Sequence, residues 1–294
     1  MSSEDSDRFG VASMSSRLER VAVRKPSAIL RADPAEWHYR KELDPERLLS
    51  QFSSFIALLD RSGVEILWFD DESDDLADSI FAYDPSFMTP HGAIILRPGK
   101  VKRRKEVEVH RRFYEAIGIP IVGEITGEGT VEGGDCFWLN PSTLAVGRGF
   151  RSNENGIHQM RDILSDVGIN IVQFDLPPQD DPDACLHLMS VVSPLDNDLA
   201  LIYEALMPNN LQGVLKDFGY DLLSAPVHEF ESSYGLSLNV LAVSERDVIA
   251  IEGFDETRAL MENAGCVVST FPADELCIPC EGGPTCLTRP ILRR

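Results

Sequence analysis

Five times along the chain, an amphipathic helical stretch runs into a glycine and then into a short apolar or β-branched run. The first instance is Leu58-Leu59-Asp60-Arg61-Ser62-Gly63-Val64-Glu65-Ile66-Leu67, and the second is Tyr114-Glu115-Ala116-Ile117-Gly118-Ile119-Pro120-Ile121-Val122. The pattern returns around Gly168, Gly219 and Gly265, so successive intervals are 55, 50, 51 and 46 residues. A glycine suits the end of a helix, where the residue after the last turn takes a left-handed conformation. The run after each glycine reads as a buried strand. Near-equal units of this length predict a repeat architecture.

Each unit has room for a second strand, at 93–96, 143–146, 199–203 and 239–243, while 21–24 and 27–30 are expected to complete a ring with the C-terminal segment. A doubly wound α/β sheet would also alternate helices with strands. The likeness of the units favours a closed ring instead, as does the spread of reactive segments at unit edges along the whole chain. In a ring those edges converge on one central cavity. No linker rich in Pro, Gly or Ser divides the chain. Residues 17–294 therefore read as a single domain, and the Ser- and Asp-rich stretch 1–16 as a disordered N-terminal tail.

Composition narrows the function classes. A 43% hydrophobic content supports a sizeable core, and the formal net charge of −21 gives a surface that repels nucleic-acid phosphate and attracts small cations. No apolar run approaches the ~20 residues of a membrane span. The first 16 residues lack the apolar core of a secretory signal. Six irregularly spaced cysteines suit a reducing cytoplasm.

Five segments look unlike core. Glu281-Gly282-Gly283-Pro284-Thr285-Cys286 places a thiol on a Gly-rich loop, where the glycines would let a substrate approach the backbone closely. Cys185-Leu186-His187-Leu188-Met189 puts one histidine in an apolar run, and Val131-Glu132-Gly133-Gly134-Asp135 sets a carboxylate before paired glycines. Asp78-Ser79-Ile80-Phe81-Ala82-Tyr83-Asp84 spaces two acids around aromatics, and Gly147-Arg148-Gly149-Phe150-Arg151 holds two arginines in a turn. Taken singly, each is more often a buried or solvated structural residue than a functional one. Together they supply a nucleophile, a base, an orienting acid, cation-binding acids and anion-binding arginines. Cys277-x-x-Cys280 has no second ligand pair at zinc-site spacing, so a metal site is not expected.

The order Asp-x-x-Phe-x-x-Asp, Glu-Gly-Gly-Asp, Gly-x-Arg-Ser-Asn, His-Leu, Gly-Gly-Pro-Thr-Cys resembles the guanidino-modifying, or pentein, superfamily over nearly the whole chain. Within it the pattern is most similar to the dimethylarginine dimethylaminohydrolases. The resemblance implies a five-bladed α/β propeller of ββαβ units with pseudo-fivefold symmetry around a central active site. It implies Cys286 as nucleophile, His187 as general acid/base and Glu132 as the acid beside that histidine. Asp78 and Asp84 would flank the guanidinium and Phe81 would line the pocket. Arg151 and Arg103, or Arg104 in its place, would clamp an α-carboxylate.

The implied partner is a small guanidino compound, without cofactor, nucleic acid or membrane, and a homodimer is one expected assembly. The implied reaction is hydrolysis of a C–N bond in arginine or an N-methylated arginine. An amidinotransferase and a non-catalytic binding propeller are the alternatives. Three residues depart from the family pattern or stand beside it. Tyr83 takes the place of a glutamate, Glu281 replaces a glycine, and Cys280 adds a second thiol near Cys286.

Overall fold

The computed structural model describes residues 8–70, 75–178 and 186–294. Cys185 and the first seven residues of the expected tail lie outside them. In chain order the strands are β1 (Leu18–Val23), β2 (Glu65–Trp68), β3 (Ser86–Thr89), β4 (Gly92–Ile95), β5 (Ile121–Glu124), β6 (Cys136–Asn140), β7 (Thr143–Arg148), β8 (Asn170–Asp175), β9 (Val192–Pro194), β10 (Leu199–Ile202), β11 (Asp221–Ser224), β12 (Leu241–Ser244), β13 (Asp247–Ile251), β14 (Val267–Phe271) and β15 (Arg289–Arg293). They form five three-stranded sheets, the blades of a propeller. Four blades are consecutive: β3-β4-β5, β6-β7-β8, β9-β10-β11 and β12-β13-β14. The fifth, β15-β1-β2, joins the two ends of the chain and closes the ring.

Every blade follows one plan. Its first pair of strands is antiparallel and its second pair is parallel. A parallel pair needs a crossover, and a helix supplies it. Short helix α1 (Pro34–Trp37) and then α2 (Pro45–Arg61) lead from β1 to β2. The other crossovers are α3 (Glu106–Ile117), α4 (Glu154–Ser165), α5 (Leu211–Asp217) and α7 (Asp255–Asn263), while α6 (Val227–Ser232) lies between blades. The helices start where the sequence supplies caps. Asp44 accepts from the amides of Glu46 and Arg47 at 3.0 and 3.2 Å, and Asn153 from Gly156 at 2.8 Å. They end near the expected glycines, whose φ angles are +73° at Gly63, +70° at Gly118, +75° at Gly168, +91° at Gly219 and +88° at Gly265.

Burial runs from hub to rim. All residues of β3, β4, β9, β10 and β15 are buried, whereas β5 alternates part-buried with exposed positions. The third strand of a blade therefore faces solvent on one side, and the first two are enclosed by neighbouring blades.

Three expectations need correction. Residues 27–30 form no strand, because Ile29–Arg31 is a 3-10 turn. Segment 239–243 is not a second strand, since β12 is the first strand of its blade and β13 is the central one. The end of the expected tail is packed: Phe9 and Val11 are 3% and 6% exposed. Gly10 donates to Ile291 O at 2.8 Å and accepts from Arg293 N at 2.9 Å, so these residues extend along the closing strand β15. Burial of an aromatic ring outweighs the polar composition around it. Replacing Phe9 with Ala should lower unfolding free energy by about 3 kcal/mol in urea titration, as for other buried rings. A frayed tail would leave the midpoint where it was.

Candidate active site

In a propeller of this plan, a connection leads from the rim strand of one blade to the hub strand of the next. There are five such connections, and each brings polar residues to the hub. The β2–β3 connection carries Asp78, Phe81 and Asp84, β5–β6 carries Glu132, and β8–β9 carries His187. The β11–β12 connection carries Asn239 and β14–β15 carries Cys286. Asp78, Phe81, Asp84, His187, Asn239 and Cys286 line one cavity of about 500 Å³, within the range of small-molecule sites. Glu132 lies behind the cavity wall with no exposed surface.

Glu132 accepts from His187 Nε2 at 2.7 Å, from Arg151 Nη1 at 3.2 and 3.3 Å, and from the Lys100 amide at 3.3 Å. Burial alone would raise its pKa. The Arg151 guanidinium, the His187 hydrogen bond and charge, and the more distant Arg103 outweigh burial and hold the carboxyl well below the usual range. A carboxylate held in its ionised form fixes the imidazole in position.

The imidazole lies against Gly134, where a Cβ would fall 2.5 Å from Nδ1. Asp135 braces the same connection by accepting from Leu188 N at 3.0 Å and from the Ser152 hydroxyl. Its pKa is raised to about 6 by burial, which the His187 charge and these two hydrogen bonds only partly offset.

Cys286 Sγ accepts from Asn239 Nδ2 at 3.2 Å, and Asn239 Oδ1 accepts from Thr285 N at 3.1 Å. Of the Gly-Gly pair before the thiol, Gly282 lines the cavity and Gly283 does not, and both also admit close side-chain packing. A Cβ at Gly282 would fall 2.3 Å from the Phe81 ring, and one at Gly283 would fall 2.4 Å from the Asn239 carboxamide. The glycines let these two side chains reach the thiol loop. Asn239 was not singled out in the sequence. Its signal is positional, because it precedes the hub strand of its blade as the other site residues precede theirs.

The two acids expected to bind a cation already hold protein donors. Asp84 accepts from Arg103 Nη1 at 2.5 Å and Gly134 N at 2.9 Å. Asp78 accepts from the Tyr39 hydroxyl at 2.9 Å and Lys100 Nζ at 2.6 Å. Arg103 is not an open carboxylate clamp. It is 4% exposed and donates to Asp84, to both oxygens of Glu106 and to the carbonyl of Phe81. Glu106 is itself pushed up to about 7 by burial, against the pull of Arg103.

Arg104 donates to Pro98 O and is not on the cavity wall, whereas Arg151 is on that wall. Lys100, unnoticed within the basic run 100–105, lines the cavity. Tyr83 offers the cavity no carboxylate, and its ring lies 4.0 Å from the Arg289 guanidinium. Glu281 pairs with Arg40 at the cavity mouth. The thiol of Cys280, also on the cavity, is raised by burial. Ligand-type atoms of Asp84, Glu132 and His187 lie within 4.8 Å of one another, but Arg103 and Arg151 already supply cations to the two carboxylates.

A ring of five such blades, with cysteine, histidine and acids gathered at its hub, has the fold and layout of the guanidino-modifying superfamily. The family model described as arginine deiminase matches residues 69–221, and the chain belongs to that family. A dimethylarginine dimethylaminohydrolase of Streptomyces coelicolor is 30% identical over 177 residues, which are 60% of this chain and 65% of that enzyme. The dimethylarginine dimethylaminohydrolase of Pseudomonas aeruginosa is 27% identical over 274 residues, 92% of this chain and 98% of that one. Its structure with citrulline superposes with a TM-score of 0.76 at 23% identity, covering 95% of this chain and 100% of that one. A Microseira wollei amidinotransferase of saxitoxin biosynthesis superposes with a TM-score of 0.82 at 18% identity, covering 97% of each. Among the described residues, no helix is long and apolar enough to cross a membrane.

The depressed pKa of Glu132 makes a signed prediction. Its stabilising contribution is complete above the unfolded value of about 4.5 and is lost as pH falls below it. At pH 6, Glu132→Gln should be less stable than wild type by about 3 kcal/mol, since it strips a buried pair of its anion. In urea titrations the gap should shrink steadily from pH 4.5 to pH 3. A constant gap over that window would show that the carboxylate is not held ionised.

Proposed function

We propose that this protein is a cysteine hydrolase that cleaves a C–N bond of a guanidino compound, arginine or an N-methylated arginine, to a ureido product and an amine or ammonia. One observation carries the reading: Cys286, the His187 ring buttressed by buried Glu132, and the acids Asp78 and Asp84 meet at one cavity. The family membership and the dimethylarginine dimethylaminohydrolase relatives support it.

A guanidinium carbon is a poor electrophile, so the planar cation must be held still while a strong nucleophile reaches it. Asp84, fixed by Arg103, offers its remaining lone pairs to the guanidinium N–H groups, and charge-assisted bonds of this kind orient as well as bind. Cys286 gives its proton to His187, and the thiolate sulfur bonds to the guanidinium carbon as the C–N π pair moves onto nitrogen, giving a tetrahedral adduct. His187 protonates the departing nitrogen, the C–N bond breaks, and a thiouronium remains on Cys286. His187 then takes a proton from water as the water oxygen bonds to the same carbon. The carbon–sulfur bond breaks, sulfur leaves with its electron pair, and the remaining hydroxyl proton is lost to solvent as the ureido C=O forms. Glu132 stabilises the imidazolium at these proton transfers.

Cytoplasmic placement agrees with the irregular spacing of the six cysteines. An amidinotransferase would pass the same intermediate to an amine instead of water. The test is a panel of arginine, dimethylarginine and agmatine, with ureido product identified by mass. Wild-type protein should turn over at least one of them and carry a transient adduct on Cys286, and Cys286→Ser should lose about 10³-fold or more of the rate. Unchanged activity in Cys286→Ser would defeat the assignment. A new guanidino product formed only when glycine or lysine is added would make the protein a transferase.

A further inference from the structure

Tyr83, Met189 and Thr285 form a wall with two sides. One side faces the cavity of Cys286, and the other faces a second, smaller cavity at the hub. The centre of a water-sized sphere can range over about 20 Å³ there. One water needs ~10–15 Å³ by this measure, so the space suits a single small particle.

Its lining includes Arg289, Arg293 and Trp138, and no acidic residue. These side chains are deeply placed, with exposures of 2%, 8% and 1%. Arg289 Nη1 donates to Ser86 O at 2.5 Å, while Arg293 donates to Ser16 O and Ala242 O at 2.7 and 2.8 Å. All of these acceptors are neutral carbonyls. Arg289 Nε and Trp138 Nε1 are buried and have no acceptor among the described residues.

Two buried guanidiniums with no carboxylate in ion-pair contact among the described residues leave a poorly compensated charge, which is worth several kcal/mol in a protein interior. Arg293 responds accordingly: burial, the largest influence, lowers its pKa to about 10; Tyr83 pulls the other way, the neighbouring Arg289 charge adds to the lowering, and Glu245 opposes it least. The two unmet groups only donate. A water could accept from both, but it would leave the charge in place and add two hydrogens of its own to a donor-rich lining. A monatomic anion accepts from both, needs no acceptor, and supplies the missing charge. A tetrahedral oxyanion is too large for the space.

We propose that this cavity is a halide site, chloride under ordinary conditions, bound by Arg289 Nε and Trp138 Nε1 and neutralised by Arg289 and Arg293. The site is independent of the guanidino reading. It still touches the reaction cavity through Tyr83, whose ring lies over Arg289 and whose amide donates to Cys286 O at 3.2 Å.

The test uses the full chain in two measurements. Crystals grown in sodium bromide should show one anomalous peak between Arg289 and Trp138. Thermal unfolding at fixed ionic strength and pH should have a midpoint roughly 2–4 °C higher in sodium chloride than in sodium gluconate, with the increment growing with halide concentration. Trp138→Phe keeps an aromatic side chain and removes the donor, and it should abolish most of the increment. A water peak in place of bromide overturns the proposal, as do equal midpoints in the two salts. Bromide in the cavity with no effect on the midpoint would be an adventitious ion only, and that too overturns it.

Discussion

The hub is organised around an anion that cannot reach water. Glu132 has no exposed surface and stays ionised, so its surroundings must supply the compensation that solvent would give. Arg151 supplies charge, His187 supplies a directed hydrogen bond, and the Lys100 amide supplies a third donor. These donors come from different blades or from different connections of neighbouring blades. The carboxylate therefore ties blade to blade, and its satisfaction sets where the imidazole stands. Removing any one partner leaves charge buried without an answer, which is costlier than never having buried it. The geometry of the reaction centre and the cohesion of the ring thus rest on the same interaction.

The repeat was legible because helix ends have a chemical signature. A left-handed residue after the last turn favours glycine, and five such glycines at near-equal spacing reported five crossovers, each with its flanking strand. The first, antiparallel strand of each blade was harder to see. β3, β6 and β9 are short and fully or almost fully buried, so they lack the alternation that marks a half-exposed strand. The same burial hid β15 as a hub strand, since arginine at 289 and 293 reads as surface.

The site was legible as residue types, because a thiol, an imidazole and carboxylates beside glycines are unusual company. What those residues touch was not legible. The family resemblance implied Arg103 as a ligand clamp, and a basic run reads as exposed. Its burial follows from Glu106, one helical turn on, which faces the same way and pairs with it. Asn239 looked like any polar residue before a strand. Only the fivefold equivalence of the connections, a property of the closed ring, gives it a place beside the sulfur. The two glycines before Cys286 announced a close approach correctly, but the approaching groups are Phe81 and Asn239.

The two acids facing the cavity differ in a way that bears on how a cation enters. Asp84 is held by Arg103, whose side chain is 5% exposed and bonded on every side, so this pair is part of the frame. Asp78 is held by Lys100, whose side chain is 22% exposed, and the ammonium also rests 5.4 Å from the Trp37 ring and within reach of Trp37 O. An ammonium on a flexible stem can be released to water, while a buried guanidinium cannot. On the proposed reading, an arriving guanidinium meets one fixed carboxylate and one that it can take over from lysine. That exchange replaces one cation by another at Asp78. The buried charge of the hub is then the same before and after binding, and the ionised state of Glu132 behind it need not change.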